Sequence, residues 1–217
     1  REGFIEIFTP KIVAEGAEGG TALFKLNYFG RDAYLAQSPQ FYKQMMVASG
    51  YERVFEIGNF FRAEEHDTAR HLNQFTSMDL ELAFIEDEQD IMDIEEEMLK
   101  HIINKLELEG ARYFKMLNVD IPKIVAPIPR IEFEDAARVL KENYNKIVTD
   151  NDLDPEGERL LSEYAKEKYN SEFIFITNYS RKKRPMYTMP KGINGTRSFD
   201  LIFKGTEITS GGQRIHD

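Results

Sequence analysis

The sequence predicts an α+β fold with a mainly antiparallel sheet flanked by helices. Its strand-like runs do not alternate regularly with helices, as they would around a parallel sheet. One helix is clear, because apolar residues from Ile91 to Leu106 recur at helical spacing. The 217 residues are 41% hydrophobic and 30% charged, which is typical of a folded globular chain and argues against disorder. We therefore interpret residues 1–217 as one domain with a real core.

Eight runs have the pattern of strands. In chain order they are 4–10, 23–28, 33–36, 53–64, 75–84, 173–177, 199–203 and 206–210. The second and third runs predict a short hairpin, and the last two predict a hairpin around Lys204 and Gly205.

Three helices are predicted between these strands. Ser38 and Pro39 begin the first one as capping hydroxyl and first helical residue, and Gly50 ends it. The second covers residues 87–108 and closes at Gly110. The third, amphipathic, lies near 156–169 within a mixed insertion at about 111–170.

Overall charge and composition exclude several classes of protein. The net charge is -10, whereas a general nucleic-acid coat would be basic, so RNA would need a local patch or segments outside this chain. The absence of cysteine excludes disulfides and thiolate metal sites and fits a reducing compartment. No apolar run approaches the roughly 18 residues of a membrane helix, and no signal peptide is visible. Without a GxxxxGK[ST] or GxGxxG motif, a nucleotide site must be built another way.

Two adjacent strands carry an unusual polar face. By strand alternation, Phe60, Arg62 and Glu64 point the same way. The partner strand places four side chains on one face: Phe75, Ser77, Asp79 and Glu81. Arginine can hold a phosphate and an aromatic ring can stack on a purine, so this face suits ATP. A solvated face of surface ion pairs explains the pattern equally well.

The hairpin near the carboxyl end brings two acids together. A two-residue turn puts Ile202 opposite Glu207 and Asp200 opposite Thr209, so that the two carboxylates are diagonal neighbours. Such a pair can share magnesium ions that bridge the phosphates of ATP. The alternative is two exposed acids on an edge hairpin. The small residues at 210–212 and the phosphate-capable Arg214 argue against that alternative.

A third constellation lies on the first predicted helix. Gln40 and Lys43 are three residues apart and share a face, where an amide and an ammonium can hold an amino acid. A surface lysine is the commoner explanation. The run Arg181–Arg184 can touch RNA phosphates but is more typical of an ordinary surface. His66 and His71 lack the partners of a zinc site, so we expect no metal there.

Several segments together resemble class II aminoacyl-tRNA synthetases, in particular the aspartyl branch of archaeal and eukaryotic type. Residues 3–11 are similar to motif 1, and residues 61–75, within about 53–84, are similar to motif 2. Residues 205–217 resemble the stretch before motif 3, and 37–44 and 184–190 are also similar to that branch. Because motif 3 and the anticodon-binding domain are absent, we expect this chain to be a catalytic fragment without full activity.

The resemblance implies roles in binding ATP. Arg62 matches the arginine on the α-phosphate, and Glu64 the acid near the adenine amino group. His71 matches the histidine near the outer phosphates, and Phe75 the aromatic ring stacked on adenine. Asp200, Glu207 and Ser210 match the side chains that hold Mg²⁺.

Further positions match the amino-acid pocket. Lys43 matches the lysine that recognises the aspartate carboxylate, and Gln40 matches a glutamine near the amino acid. Glu18 matches a mobile loop, Arg214 an arginine of the pocket, and Asp79 a position where an acid can face the α-amino group. Ser210 lies with this set as well.

The implied reaction is ATP-dependent formation of aspartyl-adenylate and transfer to tRNA(Asp), with tRNA(Asn) as an open second acceptor. Arg62 and His71 would neutralise charge, and no covalent nucleophile is needed. A cytoplasmic homodimer formed through motif 1 is implied. Three alternatives stay open: an asparaginyl-tRNA synthetase, against which the charge of Lys43 argues; an amide-forming relative that makes asparagine from aspartyl-adenylate; and an inactive regulatory module.

Overall fold

The computed structural model describes residues 2–16, 22–65 and 72–216. Contacts within the chain divide it into two compact units, Arg1–Phe84 and Ile85–Asp217. Both contain sheets and helices, which confirms the predicted α+β class. No helix in these ranges has the length and apolar composition needed to cross a bilayer.

The first unit contains two small sheets and one helix in its described part. Its elements are β1 (Ile5–Glu6), β2 (Ile12–Val13), β3 (Lys25–Tyr28), β4 (Arg31–Leu35), α1 (Gln40–Ala48), β5 (Arg53–Phe61) and β6 (Gln74–Leu82). One sheet has the order β1-β5-β6, with β1 parallel to β5 and β6 antiparallel to it. The other has the order β2-β4-β3 and contains the predicted hairpin, whose turn residues Phe29 and Gly30 both have positive φ.

Helix α1 begins one residue later than predicted. Pro39, with φ -86° and ψ 12°, is the capping residue and not the first helical residue, because its ψ is not helical. The Ser38 hydroxyl still accepts a hydrogen bond from the N–H of Gln40 at 3.3 Å, as the capping prediction required. Gly50 follows the helix with φ 101°, a conformation that favours glycine.

The second unit contains three helices and six strands in its described part. They are α2 (Glu88–Leu117), β7 (Arg130–Glu132), α3 (Phe133–Tyr144), α4 (Pro155–Tyr169), β8 (Phe173–Thr177), β9 (Pro190–Lys191), β10 (Gly195–Thr196), β11 (Ser198–Phe203) and β12 (Thr206–Gly212). The prediction that α2 ends at Gly110 is wrong. A single glycine costs a helix only about 1 kcal/mol, and good helix formers follow it, so α2 continues until Asn118 adopts the left-handed conformation.

A four-stranded sheet in the order β12-β11-β8-β7 forms the centre of the second unit. Strand β8 is buried throughout, as its apolar sequence predicted, and its side chains alternate between two cores. Phe173 and Phe175 pack in a cluster with Met92 of α2. Ile174 and Ile176 pack in a cluster with residues of α3 and α4. The sheet is thus covered by helices on both faces, which leaves the β11–β12 hairpin as the place for polar groups.

Residues 111–170 contribute directly to this unit. Strand β7 pairs in parallel with β8. Helix α4 confirms the amphipathic helix predicted near 156–169, and Leu160, Leu161 and Ala165 of this helix are buried against the sheet. The segment therefore forms part of the core of the second unit.

Candidate functional site

Ten of the twelve predicted site residues lie in described parts of the chain. Glu18 and His71 fall outside those ranges, and their roles stay predictions. The first unit contains Gln40, Lys43, Arg62, Glu64, Phe75 and Asp79, and the second contains Asp200, Glu207, Ser210 and Arg214.

Lys43 is buried, and the alternative of a surface lysine is wrong. Its side chain is 5% exposed. Its Nζ donates to Oδ1 of Asp79 at 3.1 Å and to the carbonyl oxygen of Leu80 at 3.3 Å. The carboxylate of Glu81 lies farther away, at 3.6 Å, and also accepts from Nε2 of Gln40 at 3.3 Å. Because a buried ammonium is tolerated only when it is paired, these acids stabilise the buried side chain of Lys43 in a fixed position.

The polar face of β6 reaches Arg62, but strand alternation does not explain how. Phe60 lies opposite Phe75, and paired residues share a face. Strand β5 ends at Phe61, and the N–H of Glu64 donates to the carbonyl oxygen of Arg62 at 2.9 Å, which breaks the alternation predicted for these residues. The guanidinium carbon of Arg62 nevertheless lies 5.1 Å from the centre of the Phe75 ring.

Arg62 retains capacity to bind a ligand. It is half-buried, and its Nε has no hydrogen-bond partner among the described residues. A guanidinium with a buried, unpartnered N–H beside an aromatic ring is suited to an anionic group with a planar base. This arrangement fits the roles predicted for Arg62 and Phe75.

A second buried charge in this unit was missed by the sequence analysis. Glu56 is 2% exposed and lies opposite Asp79 in the β5–β6 ladder. It accepts hydrogen bonds from the N–H and the hydroxyl of Thr9, at 3.2 and 2.7 Å, and from Nζ of Lys11 at 2.6 Å. Lys11 also lies 3.9 Å from the centre of the Phe60 ring. Glu56 therefore fixes the segment after β1, and a glutamate at an inward strand position was its only sequence signal.

In the second unit, the predicted hairpin is confirmed but its register differs. Asp200 lies opposite Ser210 and not Thr209, because the register shifts next to Ile202. Glu207 remains opposite Ile202, as predicted. The irregularity places Ser210 opposite Asp200, so that a hydroxyl and two acids lie on one face of the hairpin.

Arg184 contacts the group formed by Asp200, Glu207 and Ser210, although the basic run Arg181–Arg184 was interpreted from the sequence as ordinary surface. That interpretation fits residues 181–183, which are exposed, and is wrong for Arg184. One Nη of Arg184 donates to Oδ2 of Asp200 at 2.5 Å and the other to Oγ of Ser210 at 3.1 Å. Its guanidinium carbon lies 3.9 Å from the centre of the Tyr179 ring. Sequence alone gave no sign of this contact.

Burial changes the ionisation of Glu207 and of Tyr179. Burial, and then the neighbouring charge of Asp200, raise the pKa of Glu207 to about 7, while Arg184 opposes the rise and Glu158 adds to it. Burial and Asp200 also raise the pKa of Tyr179, which keeps its hydroxyl protonated. The positive charge of Arg184 therefore offsets only part of the effect that burial and the neighbouring acids have on the pKa of Glu207.

The donor set fits a magnesium ion that also binds phosphate. Oδ1 of Asp200 is buried and has no hydrogen-bond partner among the described residues. In those same ranges no group of three or more His, Cys, Asp or Glu residues is arranged to hold a metal. Mg²⁺ is commonly bound by one or two carboxylates, waters and substrate phosphates, which is what Asp200, Glu207 and Ser210 can offer.

Arg214 is held near the same hairpin. It is half-buried, its guanidinium carbon lies 4.2 Å from the centre of the Tyr187 ring, and its backbone forms an isolated β-bridge with Thr188. The segment 184–190 therefore contacts both the acidic group and Arg214. Its role in the amino-acid pocket stays a prediction.

Residues 1–217 match the family model described as tRNA synthetases class II (D, K and N). The chain belongs to this family. Among curated relatives, this class II synthetase chain is 52% identical to the aspartate–tRNA(Asp/Asn) ligase of Deinococcus radiodurans, over 100% of the chain and 51% of that protein. It is 46% identical to the aspartate–tRNA(Asp) ligase of Pyrococcus abyssi, over 100% of the chain and 50% of that protein. The chain thus spans about half the length of these relatives.

Solved structures of class II synthetases share the fold. Aspartyl tRNA synthetase from Entamoeba histolytica superposes with a TM-score of 0.83 and 33% identity, covering 100% of this chain and 42% of that one. Asparaginyl-tRNA synthetase from Pyrococcus horikoshii, complexed with asparaginyl-adenylate, gives a TM-score of 0.84 and 29% identity over 95% of this chain and 47% of that one. Both confirm the predicted catalytic fold.

Proposed function

We propose that the whole protein containing this chain activates L-aspartate with ATP and transfers the aspartyl group to tRNA(Asp). The buried ammonium of Lys43 carries this proposal. A cation held beside Gln40 favours a side-chain carboxylate over a neutral amide, and therefore aspartate over asparagine. The 52% identity to a protein named as an aspartate ligase supports the same choice.

The surroundings of Lys43 suit both ends of an amino acid. Asp79 is 24% exposed, so it can pair with the α-amino group of a ligand while it still contacts Lys43. Glu81 lies at the longest distance from Nζ, and its contact is the one that a ligand carboxylate can replace at the smallest loss. Glu18 and Arg214 complete the proposed amino-acid-binding set.

The proposed first step forms an anhydride. A carboxylate oxygen of aspartate attacks the α-phosphorus of ATP, and the bond to the pyrophosphate leaving group breaks. Arg62 would neutralise charge at the α-phosphate, His71 would do so at the outer phosphates, and Phe75 and Glu64 would hold adenine. In the second step a hydroxyl of the terminal ribose of tRNA attacks the aspartyl carbonyl carbon, and AMP leaves.

Asp200, Glu207 and Ser210 are proposed to hold Mg²⁺ with the phosphates of ATP. When bound, the ion would neutralise phosphate charge. The unpartnered Oδ1 of Asp200 and the raised pKa of Glu207 support this role, because both acids gain from a nearby cation.

The partners and the assembly belong to the same proposal. We propose tRNA(Asn) as a second acceptor, since the relative with 52% identity is named for both tRNAs. We also propose a cytoplasmic homodimer in which motif 1, at 3–11, lies at the interface and motif 2 covers about 53–84. Ile5, Phe8 and Ile12 are 46%, 82% and 56% exposed, and a partner protomer at this segment would cover these apolar side chains.

Amino-acid-dependent ATP–pyrophosphate exchange by the whole protein tests the ATP roles. Arg62→Ala should abolish the exchange, because the variant cannot neutralise the α-phosphate. Near-normal exchange in this variant would remove Arg62 from the reaction and with it the motif 2 assignment.

A further inference from the structure

We propose that Arg184 occupies the proposed Mg²⁺ site of Asp200, Glu207 and Ser210 when no divalent ion is bound. Its guanidinium contacts Asp200 and Ser210, which a divalent ion would otherwise bind. The inference rests on the proposed function only for the identity of that ion. It gives Arg184 a role in divalent-ion binding that the basic run in the sequence does not reveal.

The geometry of the guanidinium supports this role. Its two Nη atoms contact different acceptors, Oδ2 of Asp200 at 2.5 Å and Oγ of Ser210 at 3.1 Å, and so bridge two strands of the sheet. The planar fork of arginine is suited to such a bridge, whereas a lysine ammonium is a single point of charge. Arg184 thereby occupies oxygens of two of the three proposed Mg²⁺ ligands.

Burial explains why a cation is required here. Asp200 is 7% exposed and Arg184 16% exposed, so neither charge is stable without the other. Glu207 and Glu158 add negative charge to the same small cleft, which is also lined by Tyr179. The Tyr179 ring lies under the guanidinium at 3.9 Å and fixes its plane.

Arg184 and a divalent ion therefore compete for Asp200. The guanidinium of Arg184 lies at hydrogen-bond distance from the Asp200 carboxylate and occupies one of the two carboxylate oxygens. Its positive charge also repels an incoming divalent ion. Nε of Arg184 has no hydrogen-bond partner among the described residues, so the side chain keeps a donor with which it can contact a phosphate oxygen after it releases Asp200. Without ATP, Arg184 should lower the affinity of the site for divalent ions.

Mn²⁺ binding to this chain, followed by electron paramagnetic resonance without ATP, tests the inference. Arg184→Met removes the charge and keeps the length, and Arg181→Met makes the same charge change at an exposed position of the same run. We expect Arg184→Met to bind Mn²⁺ at least about tenfold more tightly than the unmodified chain. The Mn²⁺ affinity of Arg181→Met should stay within about twofold of that of the unmodified chain. In a double variant, Asp200→Asn should cancel the gain in affinity that Arg184→Met produces.

Equal or weaker Mn²⁺ binding by folded Arg184→Met would overturn the inference, as would no Mn²⁺ binding by any form. If Arg184→Met does not fold by circular dichroism, Arg184→Lys replaces it. Lysine keeps the charge but bridges fewer acceptors, so we expect affinity about threefold or more above the unmodified chain, and unchanged affinity contradicts the inference. The pyrophosphate exchange of the whole protein tests the proposed function separately, so the two failures are distinguishable.

Discussion

The backbone N–H of Glu207 donates a hydrogen bond to Oε2 of Glu158 at 3.0 Å. One turn farther along α4, the hydroxyl of Ser162 accepts from the N–H of Gly205 at 2.7 Å. Helix α4 therefore holds the tip of the β11–β12 hairpin through two side chains. Because Glu207 follows that tip directly, its position depends on a helix that belongs to none of the motifs.

This contact predicts a role for Glu158 in metal binding. Glu158→Leu removes the acceptor and should weaken Mn²⁺ binding by about tenfold, as is usual when a residue that orients a metal ligand is lost. Glu158→Gln removes the same charge but keeps an acceptor oxygen, and it should stay within about threefold of the unmodified chain. Electron paramagnetic resonance titrations measure both, and equal losses in the two variants would show that charge, not position, is what matters.

Glu56 should stabilise the first unit by anchoring the segment after β1. Glu56→Ala leaves Lys11 and Thr9 without their buried acceptor and should lower the free energy of unfolding by about 3 kcal/mol. Glu52→Ala, at an exposed position before β5, should change it by less than about 0.5 kcal/mol. Urea unfolding of both variants is the measurement, and similar losses in the two would contradict the anchoring role.

Lys43 should determine the affinity for aspartate. In the whole protein, Lys43→Met should raise the KM for aspartate by about 100-fold, because the substrate carboxylate loses its buried partner. The KM for ATP should change by less than about threefold. Lys25→Met removes an exposed lysine, 60% accessible and paired with Asp32, and should leave both constants unchanged. A matching rise in both KM values for Lys43→Met would indicate general damage to the unit.

A buried acid in α2 predicts a pH-dependent stability. Glu95 is 4% exposed, and burial raises its pKa from 4.5 to about 7, although a hydrogen bond with Thr209 opposes the rise. The folded chain therefore holds a proton that the unfolded chain has lost between these two pH values. Glu95 should make stability fall by about 3 kcal/mol as pH rises through this window and should have no effect below it, and the raised pKa of Glu207 should add a separate fall over the same range.

Glu95→Gln should remove the part of this dependence that is due to Glu95 and leave the part due to Glu207. The variant should be more stable than the unmodified chain at pH 8, by up to about 3 kcal/mol, and nearly equal to it at pH 4. Glu109→Gln, at an exposed position of the same helix, should show the unmodified pH profile. Urea unfolding from pH 4 to pH 8 measures all three proteins, and a gain for Glu95→Gln that is constant with pH would contradict the assignment.

The features that were predicted correctly are those that depend on residues close together in the sequence. The apolar run of β8, the turn at Lys204 and Gly205, and the shared helix face of Gln40 and Lys43 all follow from local pattern. The end of α2 did not, because a glycine inside a helix and a glycine that ends one look alike in sequence.

The site was predicted less completely than the fold, since its charges pair over long distances in the chain. Arg184 pairs with Asp200, which lies sixteen residues away in the chain, and Lys11 pairs with Glu56, which lies forty-five residues away. The register shift that places Ser210 opposite Asp200 also has no local signature. These contacts are consequences of tertiary structure, and only the folded chain reveals them.

Amino-acid-dependent ATP–pyrophosphate exchange by the whole protein, with aspartate compared against asparagine, tests the central claim most directly. We expect exchange with aspartate and none above background with asparagine, because the Lys43 ammonium favours a substrate carboxylate over a neutral amide. Exchange with asparagine, or with neither amino acid, would contradict the assignment of the pocket.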